Sequence, residues 1–242
     1  MHAPANLPRL TDRHALFLDF DGTLAPIQDD ADTVRLPDGL ADSLARLQDY
    51  LGGAIIIISG RDIRDLSSRV PGSLWRAGGH GLEICAPGEA PADGQLDAPA
   101  GLMAAMDQAV EGLEGVRTEP KGPVVAVHYR QNPDIAPLLK ARLEASIADT
   151  KGYKLQAGKM VFEAKPGSAN KGKAVESLLT QDALKDRIPV MIGDDTTDED
   201  AFDVVNRLGG VSIKVGDGET RATYRLSSPQ DVASWINDQG IK

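Results

Sequence analysis

Runs of apolar, mostly β-branched residues alternate along the chain with stretches whose apolar residues recur at helical spacing. The apolar runs end in a turn-forming or carboxylate residue and occupy 15–20, 53–60, 189–194 and 211–215. The helical repeats are formed by Leu40, Leu44, Leu47 and Leu51, by Val175, Leu178 and Leu179, and by Ala201, Phe202, Val205 and Leu208. Near-continuous apolar strands separated by amphipathic helices are typical of a parallel sheet buried on both faces.

This alternation predicts an α/β fold with a doubly wound, Rossmann-like parallel sheet, whose site lies beyond the carboxyl ends of the strands. The middle of the chain differs, because a proline-rich loop is followed by a pattern in the order α-β-β-α-β-β. We therefore expect a core formed by 1–99 and 166–242, and an inserted α+β lid formed by 100–165. A loop at 216–224 is expected to close beside the core and to start a short helix.

Composition narrows the class of protein. The chain has 242 residues, 41% of them hydrophobic and 26% charged, which suits a globular protein with its own core. Its net charge of −10 argues against binding to nucleic acid or to an anionic membrane. The single cysteine, Cys85, is interpreted as a small strand residue. The N-terminal residues resemble no signal peptide and no apolar run could span a membrane, so a cytoplasmic location is expected.

Carboxylates stand at the ends of two predicted strands. Asp19 and Asp21 follow the first strand, two residues apart in an extended segment, and two like charges so close require a cation or a proton between them. Asp194, Asp195 and Asp198 follow the third. Some acidic residues in that third stretch would also suit the first turn of a helix. Hard oxygen ligands from two such clusters indicate Mg²⁺.

Groups suited to a phosphate occupy two further positions. Ser59-Gly60-Arg61 ends the second strand, where a hydroxyl and backbone N–H groups could bind an anion, although Ser-Gly is also a common turn. Lys171 opens a predicted helix, where its ammonium could neutralise a phosphoryl group and a carboxylate. Taken alone, an exposed surface lysine would be the simpler interpretation of Lys171.

The order and spacing of these four elements resemble the haloacid dehalogenase superfamily of phosphotransferases. The resemblance implies Asp19 as the nucleophile and Asp21 as the general acid and base, with Ser59 and Lys171 binding the phosphoryl group. It also implies Mg²⁺ held by Asp19, by the backbone carbonyl of Asp21 and by Asp194, with Asp195 and Asp198 close by or acting through water. A bound Mg²⁺ would make the anionic cluster attractive to a phosphate ester.

Within this superfamily the chain is similar to the trehalose-6-phosphate phosphatases. The matching stretches are 79–81, 119–121, 128–130, 158–163, 193–199 and 215–224. The resemblance implies substrate binding by Arg61 near the core strands and by lid residues Glu119, Lys121, Arg130, Lys159 and Glu163. Mixed acids and bases suit a polyhydroxylated ligand, because carboxylates accept hydrogen bonds and cationic side chains donate them. The implied partners are a small-molecule sugar phosphate and, functionally, a trehalose-6-phosphate synthase.

Other functions remain open at this stage. A lid-type phosphatase acting on sucrose phosphate or on mannosyl-phosphoglycerate would share every core motif, and a phosphosugar mutase would share the nucleophile. A non-catalytic sugar-sensing protein could also use this fold. Because His128 alternates with Val125 and Val127, it is interpreted either as a substrate contact or as one face of a strand.

Overall fold

The computed structural model describes residues 7–94, 96–158 and 160–239. The chain divides into one compact unit of Met1–Pro91 with Asn170–Lys242, called the core unit here, and a second of Ala92–Ala169, called the cap unit. The sequence predicted a lid at 100–165. The cap unit begins eight residues before that range and ends four residues after it. In the described part of the chain, none of the helices combines the length and the apolar character that crossing a bilayer requires.

The described part of the chain contains eleven strands and seven α-helices. The strands are β1 (His14–Asp19), β2 (Ile55–Ile58), β3 (Trp75–Gly78), β4 (Glu83–Cys85), β5 (Arg117–Lys121), β6 (Val124–His128), β7 (Tyr153–Gly158), β8 (Val161–Pro166), β9 (Ile188–Gly193), β10 (Val211–Val215) and β11 (Tyr224–Leu226). The helices are α1 (Leu40–Tyr50), α2 (Ile63–Arg69), α3 (Leu102–Val110), α4 (Ala136–Ile147), α5 (Lys171–Leu178), α6 (Thr196–Arg207) and α7 (Pro229–Asn237). Short 3₁₀ turns occupy Ala31–Thr33 and Pro133–Ile135.

The core unit is built on a seven-stranded sheet in the order β11-β10-β9-β1-β2-β3-β4. All neighbouring strands run parallel except β3 and β4, which pair antiparallel at one edge. The predicted α/β class with a parallel sheet is confirmed. Because β1 and β9 are neighbours, the carboxylates that follow them reach the same edge of the sheet.

The apolar runs became strands because both faces of the central sheet are covered. All four isoleucines of β2 are fully buried, as are the central residues of β1. Helices α1, α5 and α6 arise where leucine, valine and alanine recur at helical spacing, and their apolar faces join the same cluster of buried side chains.

One element differs from the expectation. The prediction of a short helix after 216–224 is wrong, because Tyr224–Leu226 forms β11, which pairs in parallel with β10. The edge of β10 offers unpaired backbone groups, and main-chain pairing with Ile213 and Val215 satisfies them.

The cap unit holds a four-stranded antiparallel sheet in the order β5-β6-β8-β7. One face, carrying Val125, Val127 and Phe162, packs in one buried cluster with residues of α3 and α4. The alternate positions form the opposite face, which is called the polar cap face here. Cross-strand register aligns Glu119, Ala126, Glu163 and Gln156 in one row across it.

Candidate active site

The loop after β1 places its first carboxylate at the buried edge of the sheet. Asp19 ends β1 and is only 4% exposed. The chain then folds back tightly, with the N–H groups of Leu24 and Ala25 both donating to the Phe20 carbonyl at 3.0 Å. Gly22 has φ +84°, and a Cβ there would lie 2.2 Å from Asp194 Oδ2. Glycine is therefore required both by the backbone conformation and by the close approach of Asp194.

Lys171 lies between two buried carboxylates. Its Nζ donates to Asp19 Oδ1 and to Asp198 Oδ1, both at 2.6 Å, and its side chain is 2% exposed. Lys171 is the first residue of α5, whose N-cap is Asn170, and Asn170 also donates to Asp200 at 2.5 Å. Burial acts to lower the pKa of Lys171, but Asp19 and Asp198 outweigh it and raise that pKa above its ordinary value. Lys171 is therefore held as a buried ammonium ion.

The turn after β9 brings two more aspartates to this edge. Asp194 accepts a hydrogen bond from Thr23 Oγ1 at 3.4 Å, and Lys214 Nζ donates to its backbone carbonyl. Asp198 is fully buried, and its Oδ2 accepts from the backbone N–H of Asp195 at 2.9 Å. Asp195 itself caps helix α6, accepting from Thr196 N at 2.6 Å. Its side chain is thus used for capping.

Asp19, Asp194 and Asp198 form an acidic triad that could bind a metal ion, since each offers a carboxylate oxygen and these atoms lie within 4.8 Å of one another. Lys171 bonds Asp19 and Asp198, and Lys214 reaches the backbone carbonyl of Asp194, so the three carboxylates outnumber the two ammonium groups beside them. Burial raises the pKa of Asp19 well above its ordinary value despite the opposing effect of Lys171. Burial, followed by the charge of Asp198, raises the pKa of Asp194 to about 6. The charge and the all-oxygen donor set fit a hard divalent cation.

The turn after β2 holds Ser59 and Arg61 in the same core unit. Ser59 is buried, and its Oγ accepts from the backbone N–H of Arg61 at 3.1 Å. Arg61 directs its guanidinium to Asp21, with Nε at 2.8 Å from Oδ2 and Nη2 at 2.6 Å from Oδ1. Asp21 thus lies apart from the triad in its hydrogen bonding, although it follows Asp19 by two residues.

The predicted sugar-binding residues lie in the cap unit. Glu119 is part of a cluster on the polar cap face, where His128 Nε2 lies 2.7 Å from its Oε2 and Lys121 Nζ 3.9 Å from its Oε1. Glu163 shares the row of Glu119, and Arg130 is exposed just after β6. The remaining predicted residue, Lys159, lies outside the described residues.

Three features of these sites were not predicted from the sequence. Asp198 belongs to the triad itself, whereas the sequence placed it close by or acting through water. His128 pairs with Glu119, and Lys214 reaches the Asp194 carbonyl from the neighbouring strand. The sequence does carry a signal that Asp198 turns back toward the end of β9, because it stands three residues after Asp195, as in a capping box. The other two depend on strand register, which the sequence pattern leaves open.

Known proteins share this arrangement of sequence and fold. The trehalose-6-phosphate phosphatase of Escherichia coli (strain K12) is 37% identical over 237 residues, covering 95% of this chain and 87% of that protein. A Sinorhizobium fredii (strain NBRC 101917 / NGR234) protein named "Probable trehalose-phosphate phosphatase" is 39% identical over 214 residues, covering 85% and 78%. The C-terminal domain of C. albicans trehalose-6-phosphate phosphatase has the same fold, with a TM-score of 0.82 at 24% identity, covering 95% and 92%.

The match to a family extends over most of the chain. The family model described as trehalose-phosphatase matches residues 17–230, a range that contains the acidic triad, Lys171 and the whole cap unit. This chain therefore belongs to the trehalose-phosphatase family.

Proposed function

We propose that this protein hydrolyses trehalose 6-phosphate to trehalose and phosphate through a phospho-aspartate formed on Asp19. The observation that carries the proposal is the pairing of Asp19 with the buried ammonium of Lys171, 2.6 Å away, at the carboxyl end of β1. A buried carboxylate with a fixed cation beside it suits attack on a phosphoryl group, whose transfer depends on positioning and charge neutralisation.

The proposed cofactor is Mg²⁺, held by carboxylate oxygens of Asp19 and Asp194 together with the Asp21 carbonyl. The position of Asp198 within the same triad makes it a further candidate ligand. When bound, Mg²⁺ supplies charge neutralisation for the phosphoryl oxygens and for the nucleophile. Lys214 donates to the backbone carbonyl of Asp194, and Thr23 donates to its carboxylate, so both ends of Asp194 are held in place.

The chain's own residues divide the reaction into two steps. An Asp19 oxygen attacks phosphorus, the bond from phosphorus to the sugar oxygen breaks, and that oxygen takes a proton from Asp21. Asp21 then accepts a proton from a water molecule that attacks phosphorus, and the bond from phosphorus to Asp19 breaks. Ser59 and Lys171 donate hydrogen bonds to the phosphoryl oxygens in this scheme.

We propose that the sugar part of the substrate binds to the polar cap face. Glu119 and Glu163 supply acceptors there, while Lys121 and His128 supply donors beside Glu119. Alternating acceptors and donors match the hydroxyl groups of a disaccharide. Arg130 and Lys159 remain proposed contacts on the basis of the family resemblance. The substrate must come from a reaction that forms a phosphorylated disaccharide, and we propose a trehalose-6-phosphate synthase as the functional partner.

The test is phosphate release from a panel of esters containing trehalose 6-phosphate, sucrose 6-phosphate and mannosyl-phosphoglycerate. Trehalose 6-phosphate should give the highest kcat/KM, and equal rates on all esters would contradict the substrate assignment. Asp19→Asn should abolish release while the fold remains intact by circular dichroism. Asp49→Asn, which changes an exposed aspartate of α1, is the matched control and should retain full turnover.

A further inference from the structure

Arg61 is committed to Asp21 by a two-point contact. Its Nε and Nη2 donate separately to the two oxygens of the Asp21 carboxylate, at 2.8 and 2.6 Å. This parallel arrangement matches the planar fork of a guanidinium to a carboxylate, which fixes the orientation of both groups. The Arg61 side chain is only 11% exposed, whereas the Asp21 side chain is 36% exposed, so the contact is buried on the Arg61 side and open to solvent on the Asp21 side.

The guanidinium is fixed from its other sides as well. Nη1 donates to Asp65 Oδ2 at 2.8 Å, and Nη2 also donates to the Ala31 carbonyl at 2.9 Å. The ring of Phe20 lies below it, with the Arg61 Cζ 5.5 Å from the ring centroid. Asp65 is held in turn by Arg69, whose Nε and Nη2 donate to Asp65 Oδ1 at 2.9 and 2.5 Å. The chain Arg69–Asp65–Arg61–Asp21 therefore extends from helix α2 to the loop after β1.

From this geometry we propose that Arg61 is a positioning residue for Asp21 and is not a ligand of the substrate phosphate. The inference rests on the proposed function, in which Asp21 exchanges protons with the leaving group and with water. Four of the five N–H donors of Arg61 are engaged by Asp21, Asp65 and Ala31, so a two-point contact with a phosphate would break at least one of these bonds. Because four hydrogen bonds fix the Arg61 guanidinium, it limits where the Asp21 carboxylate can lie.

The two reaction steps make this role measurable. In the first step a sugar alkoxide needs a proton from Asp21, whereas 4-nitrophenolate leaves without one. In the second step water must lose its proton to Asp21 whichever ester was used. A poorly positioned Asp21 therefore slows both steps with a sugar phosphate, but only the second with 4-nitrophenyl phosphate.

The experiment compares wild type, Arg61→Ala and Arg61→Lys by rapid mixing with excess 4-nitrophenyl phosphate and Mg²⁺. Arg61→Ala should release a burst of about one equivalent of nitrophenolate, followed by steady-state turnover lowered about 10-fold or more. Acid quenching should trap the accumulated phospho-protein. With trehalose 6-phosphate, the same variant should lose kcat by about 10-fold or more while KM stays within about threefold.

Arg64→Ala is the matched control. Arg64 lies three residues after Arg61, in the first turn of α2, but its guanidinium bonds Asp62 and Glu83 instead of Asp21, so its loss should leave both assays unchanged. If Arg61→Ala does not fold by circular dichroism, Arg61→Lys decides. A lysine can keep one hydrogen bond to Asp21 but not the fork, so an intermediate burst is expected.

Three outcomes would overturn the inference: unchanged kinetics in both Arg61 variants, a raised KM with kcat retained, or a burst phase slowed as much as turnover with no phospho-protein trapped. The second outcome would identify Arg61 as a phosphate ligand. Failure of the proposed function would look different. In that case wild-type protein itself would neither turn over the esters nor form phospho-protein, and Asp19→Asn would match it.

Discussion

At the scale of single residues, the site depends on one ammonium group shared by buried carboxylates. Lys171 bonds both Asp19 and Asp198, and all three side chains are at most 6% exposed. Charges buried to this extent are tolerated only when they are paired and hydrogen-bonded. Lys171 therefore supports the fold as well as the proposed chemistry.

Replacing this lysine should cost stability even without substrate. Lys171→Met leaves Asp19 and Asp198 buried without their cation, and we expect the free energy of unfolding to fall by about 3–5 kcal/mol. Urea denaturation at pH 8 with a chelator present would measure the change. Lys140→Met is the control, because Lys140 forms an exposed pair with Glu144 on α4 and its loss should change stability by about 0.5 kcal/mol or less. A similar small change for Lys171→Met would contradict the prediction.

The pair of Glu119 and His128 should make the stability of the fold depend on pH. The hydrogen bond from His128 is the main cause that lowers the pKa of Glu119 below its ordinary value of 4.5. A lowered carboxyl pKa adds stability above pH 4.5, and this stability is lost as the pH falls through the folded-state pKa. Wild type should therefore be more stable than Glu119→Gln at pH 7, by about 0.5 kcal/mol since the pair is partly exposed.

Thermal unfolding of both proteins at pH 7, 5 and 3 would measure this effect. The difference between wild type and Glu119→Gln should persist at pH 7 and shrink as the pH falls below 4.5 through the folded-state pKa, because Glu119 then becomes protonated in the folded chain as well. A difference that stays constant over this range would show that the pair contributes no charge-dependent stability.

How far the sequence could predict the site also varies from residue to residue. Asp19 and Lys171 could be singled out because each stands at a fixed place in its element, after an apolar strand and at the start of a helix. Arg61 could be placed near the site, but its pairing with Asp21 could not be predicted. That pairing depends on how the turn after β2 lies against the loop after β1, a tertiary contact between residues 40 positions apart.

At the scale of elements, the turn after β1 depends on a close approach to the turn after β9. Gly22→Ala would place a Cβ 2.2 Å from Asp194 Oδ2 at φ +84°, so Asp194 must move. We expect turnover to fall about 100-fold or more, since the triad loses its geometry. Gly39→Ala is the control, because Gly39 has φ +75° but nothing within 4 Å of its Cβ position. Its backbone strain should lower stability while kcat stays within about twofold.

The elements themselves show which patterns can be read from sequence. Strands β1, β2 and β9 were predicted because apolar runs buried on both faces have no other stable environment in a globular protein. The strand β11 was mistaken for a helix, because three residues at a sheet edge show no period of their own. The parallel pairing with β10 determines its conformation, which illustrates how tertiary contacts override local preference.

At the scale of the whole molecule, the core unit and the cap unit have separate hydrophobic clusters. The larger cluster surrounds the seven-stranded sheet, and the smaller is formed by one face of the cap sheet with α3 and α4. Units with their own cores can unfold in separate transitions, and a single midpoint then describes neither. The chain also carries a natural reporter, because its two tryptophans, Trp75 and Trp235, both belong to the core unit.

Selective weakening of one cluster should therefore separate two optical signals. Leu139 is fully buried in the smaller cluster, and Leu139→Ala should destabilise the cap unit by about 2–5 kcal/mol. In urea, the far-ultraviolet circular dichroism transition should shift to lower concentration and broaden, while the tryptophan fluorescence midpoint remains that of wild type. Leu44→Ala, an equally buried change in the larger cluster, should instead shift the fluorescence midpoint. If Leu139→Ala moves both signals together, the two units unfold as one cooperative body, and changes in the cap unit would alter the stability of the Asp19 site.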